Sequence, residues 1–195
     1  MCVPLDRLVK IMTLSKAHSI CGHSNNRAKG DFYPTPPFAV EALLSVETFP
    51  GTIWEPACGN GAISKVLESR GHIVRSTDLY DMGYGESGND FLLFPKHEVV
   101  DHIITNPPYS LAKEFVETAL LLATGKVAML LKLSFLEGVT RQKFFRETPF
   151  KKIYVFSRRI SLTRMGEPMV NKGMITFAWF IWEHGYIHKP EIDWI

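Results

Sequence analysis

Four consecutive residues, Asn106-Pro107-Pro108-Tyr109, carry the strongest chemical signal in the sequence. Consecutive prolines fix the backbone and supply no N–H group, so the Asn106 side-chain oxygen and the Pro107 carbonyl can face one point as two acceptors. Two such acceptors suit an –NH2 group, because hydrogen bonds to both protons draw its nitrogen from conjugated toward tetrahedral geometry. Tyr109 can stack on the ring that bears the amine. The segment predicts chemistry on a planar amine, and the alternative is a proline turn closed by an aromatic plug.

A second segment, residues 55–62 (EPACGNGA), is rich in small residues. It falls between a predicted strand and a predicted helix, where Gly59 and Gly61 let the backbone approach a ligand and the helix start offers unpaired N–H groups. The segment favours a nucleotide-like ligand, although a tight strand-to-helix turn also uses glycine. A nicotinamide site is less well supported, because Ser64 stands at the third glycine of G-x-G-x-x-G.

Acidic residues follow at two further points. Asp78 ends the next predicted strand, where a carboxylate can accept both hydroxyls of a ribose. Asp90 can accept from an adenine amino group while the Phe91 ring packs on the base. The ordinary alternatives are a helix cap or solvated acid for Asp78, and a loop acid beside a core ring for Asp90 and Phe91.

Helical and strand patterns alternate along the chain and place these motifs. Predicted strands cover residues 52–54, 72–77, 101–105, 126–133, 152–156 and 175–183. Predicted helices cover residues 38–46, 61–71, 111–123 and 140–147, with Thr35 as the N-cap of the first. This alternation predicts an α/β fold with a mostly parallel sheet. Ligands of such sheets bind at the carboxyl ends of the strands, where both segments fall.

Composition limits the class of protein. The chain has 195 residues, of which 46% are hydrophobic and 22% charged, which fits one folded domain and excludes a disordered chain. No apolar run is long enough to cross a bilayer and the N-terminus has no signal-peptide pattern, so a cytoplasmic protein is expected. Cys2, Cys21 and Cys58 are too few and too scattered for a disulfide framework, and no metal site is expected.

Charge is distributed unevenly, although the net charge is only +2. Residues 1–30 carry five Lys or Arg against one Asp, and residues 141–172 carry nine against two Glu. Two basic ends around an acidic middle suggest a polyanionic partner, with an unevenly charged solvated surface as the alternative. Residues 1–30 show no sustained period and are predicted to be a mobile basic arm. A single domain is expected at residues 31–195, with a short basic loop at residues 158–174.

Together, the EPACGNGA segment, Asp78, Asp90-Phe91 and the NPPY tetrapeptide resemble the motif series of S-adenosylmethionine-dependent amino-methyltransferases. The likeness is strongest to small DNA adenine-N6 methyltransferases, including phage and prophage forms. Residues 33–37 (YPTPP), followed by a helix, resemble the N-terminal motif of that family. The resemblance covers about residues 31–183. It implies a Rossmann-like class I methyltransferase fold with helices on both faces of a mostly parallel sheet and an antiparallel last strand.

The resemblance also implies roles for individual residues. The catalytic residues would be Asn106, Pro107, Pro108 and Tyr109. The S-adenosylmethionine site would comprise Tyr33, Thr35, Glu55, Pro56, Ala57, Gly59, Gly61, Asp78, Leu79, Asp90, Phe91 and Asn106. Nucleic-acid contacts are expected from Tyr109 and from the basic residues Arg27, Lys29, Arg158, Arg159, Arg164 and Lys172. The implied reaction is an in-line methyl transfer to adenine N6 of a flipped-out or unpaired base, with S-adenosylhomocysteine as the product. No separate target-recognition domain is expected.

Other functions remain open at the level of sequence. An RNA base methyltransferase, acting on adenine N6 or guanine N2, shares the same motifs, although DNA is the favoured partner. A protein glutamine N5 methyltransferase also shares NPPY but usually carries a helical N-terminal domain, which 30 irregular residues cannot supply. A non-catalytic S-adenosylmethionine-binding module and a nicotinamide-dependent oxidoreductase complete the alternatives. A monomer is possible at this size, and the sequence marks no dimer face.

Overall fold

Seven strands and four helices make up the part of the chain that the computed structural model describes, which is residues 33–95, 97–158, 160 and 175–195. The strands are β1 Thr52–Glu55, β2 Ile73–Ser76, β3 His102–Thr105, β4 Lys126–Lys132, β5 Phe150–Val155, β6 Phe177–Glu183 and β7 Glu191–Trp194. The helices are α1 Pro37–Val46, α2 Ser64–Ser69, α3 Ala112–Leu122 and α4 Val139–Glu147. Short 3-10 turns lie at Phe91–Leu93, Tyr109–Leu111 and Leu133–Leu136. The predicted arm, residues 1–30, lies outside this description.

All seven strands belong to one sheet in the order β2-β1-β3-β4-β6-β5-β7. The first four strands of that order pair in parallel, and β6 runs antiparallel to both β4 and β5. The predicted mostly parallel α/β sheet with one antiparallel strand is therefore confirmed, although that strand, β6, is not the last strand as predicted. Because β1, β2, β3 and β4 run the same way, their carboxyl ends open on one edge of the sheet.

Helices cover both faces of this sheet. The five central residues of β4 are buried, which is typical of a strand covered on both sides. Val127, Met129 and Leu131 pack with α3 and α4, and the alternate residues Ala128 and Leu130 pack with α1 and α2. Helices on both faces, as predicted, thus bury the centre of the sheet and hold the strand ends in fixed register.

A buried ion cluster anchors α1, the helix that follows the YPTPP segment. Glu47 caps the carboxyl end of α1 and is 6% exposed. Its carboxylate lies 2.5 Å from the Lys126 ammonium and accepts from the Tyr154 hydroxyl at 2.9 Å. These contacts favour the charged form and lower the pKa of Glu47, although burial alone raises it. Because Lys126 begins β4, the cluster fixes α1 to the centre of the sheet.

Aromatic residues of β6 complete the core, as their alternation predicts. Trp179, Phe180 and Trp182 are fully buried. The Trp179 indole N–H donates to the Ala39 carbonyl of α1 at 2.8 Å, so the large ring is buried with its polar atom satisfied. β6 therefore contacts α1 directly, across most of the length of the chain.

Three local predictions are wrong. Thr35 is not the cap of α1, because Pro36 occupies that position and the Thr35 hydroxyl faces the Asn106 amide instead. The second helix begins at Ser64 rather than at residue 61, because Gly61 has a φ of +78° that a right-handed helix does not allow. Residues 175–183 do not hold the last strand, since β7 follows and pairs in parallel with β5.

No helix of the described residues is long and apolar enough to span a membrane.

Candidate active site

The Asn106 side chain lies directly beyond the carboxyl end of β3 and is held by the YPTPP segment. Its amide nitrogen donates to the Tyr33 carbonyl at 3.1 Å and to the Thr35 hydroxyl at 3.2 Å. The other end of the amide, Oδ1, is buried and has no hydrogen-bond partner among the described residues. Leaving a buried acceptor unpaired costs about 1–3 kcal/mol, so this oxygen is placed for a donor outside the described residues.

The Tyr109 ring is enclosed by three side chains. Its centroid lies 6.3 Å from that of Tyr33, with 29° between the ring planes, and 5.7 Å from that of Phe177. The Lys132 ammonium lies 4.6 Å from the centroid of Tyr109. Pro107 is buried and Pro108 precedes the short turn that begins at Tyr109, so the backbone holds the ring against β4 and β6. An aromatic surface and a buried acceptor therefore adjoin each other.

The EPACGNGA segment turns sharply after β1, at the same edge of the sheet. Gly59 and Gly61 have φ values of +52° and +78°, which favour glycine. The Cys58 amide donates to the Thr77 carbonyl at 3.0 Å, and the Gly59 amide donates to the Asp78 carboxylate at 2.8 Å. The segment is thus fixed to the end of β2, and Cys58 is a buried, free thiol, as expected for a small packed residue.

A loop that follows β2 packs against this segment through Tyr84. A Cβ atom placed on Gly61 would lie 2.5 Å from Cδ1 and 2.6 Å from Cγ of the Tyr84 ring. The Tyr84 hydroxyl donates to Glu68 of α2 at 2.8 Å, and the Lys65 ammonium lies 4.9 Å from the ring centroid. Two features therefore favour glycine at position 61: its backbone conformation and the Tyr84 ring that packs against it.

Glu55 is a buried carboxyl group beneath the same turn. It is 2% exposed, accepts from the Ser64 amide at 2.8 Å and also accepts from the Ser64 hydroxyl. Burial raises the pKa of Glu55 to about 8, the negative charge of Asp78 adds to the rise, and the two hydrogen bonds from Ser64 oppose it. Glu55 is therefore mostly protonated in the folded chain at pH 7.

This burial makes the stability of the fold depend on pH. Glu55 ionises near pH 4.5 in the unfolded chain but near pH 8 in the folded chain, so the folded chain holds the extra proton between these values. Its contribution to the free energy of unfolding is complete below about pH 4.5 and is lost as the pH rises through 8. Relative to a Glu55→Gln variant, we expect the wild type to lose about 2 kcal/mol between pH 6 and pH 8. Parallel pH dependences of the two proteins in urea unfolding would contradict this expectation.

The other predicted cofactor residues surround the turn. Asp78 accepts from the Gly59 amide with one oxygen and from the Tyr80 amide with the other. Burial raises the pKa of Asp78, and these backbone bonds oppose the rise. Asp90 caps the next turn by accepting from the Leu92 amide at 3.0 Å. The Asp78 and Asp90 carboxylates are thus ordered by backbone contacts before any ligand arrives.

Phe91 lies in the core, which is the alternative that the sequence left open for this residue. It is 2% exposed, and its ring centroid lies 5.2 Å from that of Trp54 and 5.0 Å from that of Phe115. As placed, the ring supports the sheet, and its predicted packing on an adenine base stays a prediction. Leu79, the residue after Asp78, is 36% exposed.

The structure brings the predicted catalytic residues together with Tyr33 and Thr35, and gathers the EPACGNGA segment around Asp78. Of the predicted nucleic-acid contacts outside this site, only Arg158 is described, and it is exposed. Arg27, Lys29, Arg159, Arg164 and Lys172 lie outside the described residues. In the described part of the chain, no group of three His, Cys, Asp or Glu is arranged to hold a metal ion.

Sequence reasoning missed two polar groups of the site. Ser64 entered only as the missing glycine of a dinucleotide motif, yet it bonds Glu55 twice. Lys132 entered only as a strand residue, yet it lies over Tyr109. A charged residue that ends an otherwise apolar buried strand is the signal that would have pointed to Lys132.

Solved structures of similar fold include proteins of restriction enzymes. A protein assigned as a modification subunit of a type I restriction enzyme from Vibrio vulnificus YJ016 matches 98% of this chain and 51% of its own, with 14% identity and a TM-score of 0.58. The modification protein of the type I restriction enzyme EcoKI matches 80% of this chain and 44% of its own, with 12% identity and a TM-score of 0.55. The chain spans about half the length of these proteins.

A third similar structure gives the fold its class. It is a protein from Listeria monocytogenes assigned as a class I S-adenosylmethionine-dependent methyltransferase, with 17% identity, a TM-score of 0.54, and coverage of 81% of this chain and 62% of its own. Comparison of the sequence with protein-family models and with curated proteins gives no match. The fold is thus that of the class I S-adenosylmethionine-dependent methyltransferases, as the sequence motifs predict.

Proposed function

We propose that this chain is an S-adenosylmethionine-dependent methyltransferase that acts on the N6 amine of adenine in DNA. The observation that carries the proposal is the buried Oδ1 of Asn106, which has no hydrogen-bond partner in the part of the chain that the structure describes. Because Tyr33 and Thr35 hold the amide nitrogen, the oxygen is fixed as an acceptor and cannot turn away. Such an acceptor, unpaired among the described residues and next to the half-buried Tyr109 ring, fits an incoming amino group on a planar ring.

The residues around the EPACGNGA turn fit S-adenosylmethionine. Gly59 lets the backbone come close to a ligand at a strand-to-helix turn, whereas the Tyr84 ring covers Gly61. Asp78, which Gly59 and Tyr80 hold in place, is the acidic group placed for ribose hydroxyls and for a ligand that carries a positive sulfonium. When bound, S-adenosylmethionine supplies a methyl group already activated for transfer. The remaining catalytic demand on the chain is to position the amine and to stabilise its change of geometry.

On this proposal Asn106 and Pro107 accept the two protons of the target amine, and Tyr109 stacks on the base. The amine nitrogen supplies the electron pair for the new N–C bond and afterwards releases one proton to water, so no side chain has to act as general base. A base inside a duplex cannot reach these acceptors, and it must be flipped out or already unpaired at a cost of a few kcal/mol. Stacking on Tyr109 offsets part of that cost.

Two observations support DNA as the substrate. Proteins of similar fold include modification subunits of restriction enzymes, although at 12–14% identity. The basic excess of residues 1–30 and 141–172 suits phosphate contacts, and Arg158 is exposed at the start of the predicted basic loop.

The test is methyl transfer from labelled S-adenosylmethionine to duplex DNA, single-stranded DNA and total RNA in parallel, followed by digestion and identification of the nucleosides. We expect N6-methyladenine in DNA. Label in RNA or in guanine would contradict the proposed substrate and keep the amine chemistry. No label in any nucleic acid, with cofactor binding intact, would contradict nucleic-acid methylation and favour a protein amide or a non-catalytic role.

A further inference from the structure

Lys132 occupies an unusual position for a lysine. It ends β4, in which the five preceding residues are buried, and it is itself half-buried. In the alternation of β4 it shares the face of Leu130, which packs on the side of α1. That is the side from which the YPTPP segment reaches Asn106. The strand therefore directs a charged side chain into the active site rather than into solvent.

The ammonium group of Lys132 has no acidic partner among the described residues. The described residues form nine ion pairs, and Lys132 takes part in none of them. Its contact is instead with the Tyr109 ring, at 4.6 Å from the centroid. A cation–π contact leaves the three N–H donors of an ammonium available for a further partner. The site thus has a donor beside its aromatic surface in addition to the acceptor of Asn106.

The bases differ in what they present next to their amino group. In adenine the N6 amine lies between two ring acceptors, N1 and N7. In guanine the N2 amine lies between the N1–H donor and the N3 acceptor, and in a glutamine amide the neighbour is a carbonyl oxygen. A site with two acceptors for the amine and one donor beside them is complementary to an amine next to a ring nitrogen.

We propose that the Lys132 ammonium donates a hydrogen bond to a ring nitrogen beside the target amine, N1 or N7 of adenine, so that the site requires an acceptor next to the amine it methylates. The inference rests on the proposed function. Such a donor rejects analogues that lack its acceptor, because the charged group is then left unpaired in a desolvated site. Lys132 is therefore a substrate-binding residue and not only a support for Tyr109.

The experiment tests the wild type and a Lys132 variant on DNA in which single ring nitrogens of adenine are replaced by carbon. DNA libraries of random sequence are made with adenine, 7-deazaadenine or 1-deazaadenine, in the strand form that the wild type methylates faster. The wild type should lose about 10- to 100-fold in kcat/KM on one of the two analogues. Lys132→Met, which keeps the length and the aliphatic stem, should lose a similar factor on natural DNA but show no additional loss on that analogue.

Controls separate binding from folding. Lys113→Met removes another lysine that lies over an aromatic ring, 5.5 Å from the Phe144 centroid, and should leave all three substrates unchanged. Lys132→Arg keeps a charged donor and should restore discrimination in part. S-adenosylmethionine affinity should be equal in the wild type and in Lys132→Met, which reports an intact fold.

Two outcomes would overturn the inference. If Lys132→Met loses the same factor on natural and both analogue libraries, Lys132 only positions Tyr109. If kcat/KM of the wild type is the same on natural DNA and on both analogues, no donor of the site forms a hydrogen bond with the ring nitrogens. A wild type that transfers no methyl group to natural DNA would overturn the proposed function, and this inference with it.

Discussion

Replacing Asn106 with Ala is expected to lower the rate of methyl transfer by about 100- to 1000-fold, the size seen when one preorganised group of a transition-state site is removed. The substitution deletes the buried Oδ1 acceptor, which the structure leaves without a partner among the described residues. Affinity for S-adenosylmethionine should change little, since the turn after β1 holds its own geometry through Cys58 and Gly59. Single-turnover kinetics and a direct cofactor titration measure the two quantities separately.

The same substitution also removes the donor that holds the YPTPP segment, so a matched variant is needed. Thr35→Val deletes one of the two partners of the Asn106 amide nitrogen and leaves Oδ1 in place. We expect a decrease of about tenfold or less, the effect of one neutral hydrogen bond. Equal losses in the two variants would show that Asn106 acts by anchoring Tyr33 and Thr35, and would exclude the acceptor role.

Replacing Gly61 with Ala should produce a large loss of stability for the addition of a single heavy atom. The residue has a φ of +78°, which costs an alanine about 1–2 kcal/mol. The new Cβ would also lie 2.5 Å from the Tyr84 ring, which Glu68 and Lys65 hold in place, and overpacking of this kind costs about 1–3 kcal/mol. The free energy of unfolding should fall by about 3 kcal/mol, and cofactor affinity should fall with it.

A second glycine provides the control for the cost of placing alanine at a positive φ. Gly88 has the same φ of +78°, but nothing lies within 4 Å of a Cβ placed on it. Gly88→Ala should therefore cost only about 1–2 kcal/mol. Adding Tyr84→Ala to Gly61→Ala should recover part of the loss, because the two changes are in contact and are not additive. Equal losses for Gly61→Ala and Gly88→Ala in urea unfolding would contradict the steric contribution of Tyr84.

Local patterns predicted most of the strands and the place of the NPPY tetrapeptide, because apolar alternation and the prolines are properties of neighbouring residues. The same patterns placed Asn106 at the carboxyl end of a strand. They could not predict that Tyr33 lies against Tyr109, since that contact joins residues far apart in sequence.

Elements stabilised by distant partners were the ones missed. β7 has only four residues, all exposed, and it forms because it pairs with β5 and because Lys152 lies 2.8 Å from Glu191. The direct contact of Lys132 with the Tyr109 ring depends on the register of β4 against β6, where Lys132 faces Phe177. The charge at the end of an apolar strand is a local signal for Lys132, but neither its contact with Tyr109 nor the strand β7 has a local signature in the sequence.

The position of β6 between β4 and β5 decides how this chain must fold during synthesis. β4 and β5 leave the ribosome first, and each lacks its central neighbour until β6 follows. The roughly 45 residues between the end of β4 and the start of β6 take about 2 to 9 s to translate. For that interval a strand buried on both faces in the native state presents an unpaired edge, the situation in which nascent chains aggregate or recruit chaperones. The Trp179–Ala39 bond can form only after this point, so the first helix is locked in place by one of the last strands to be made.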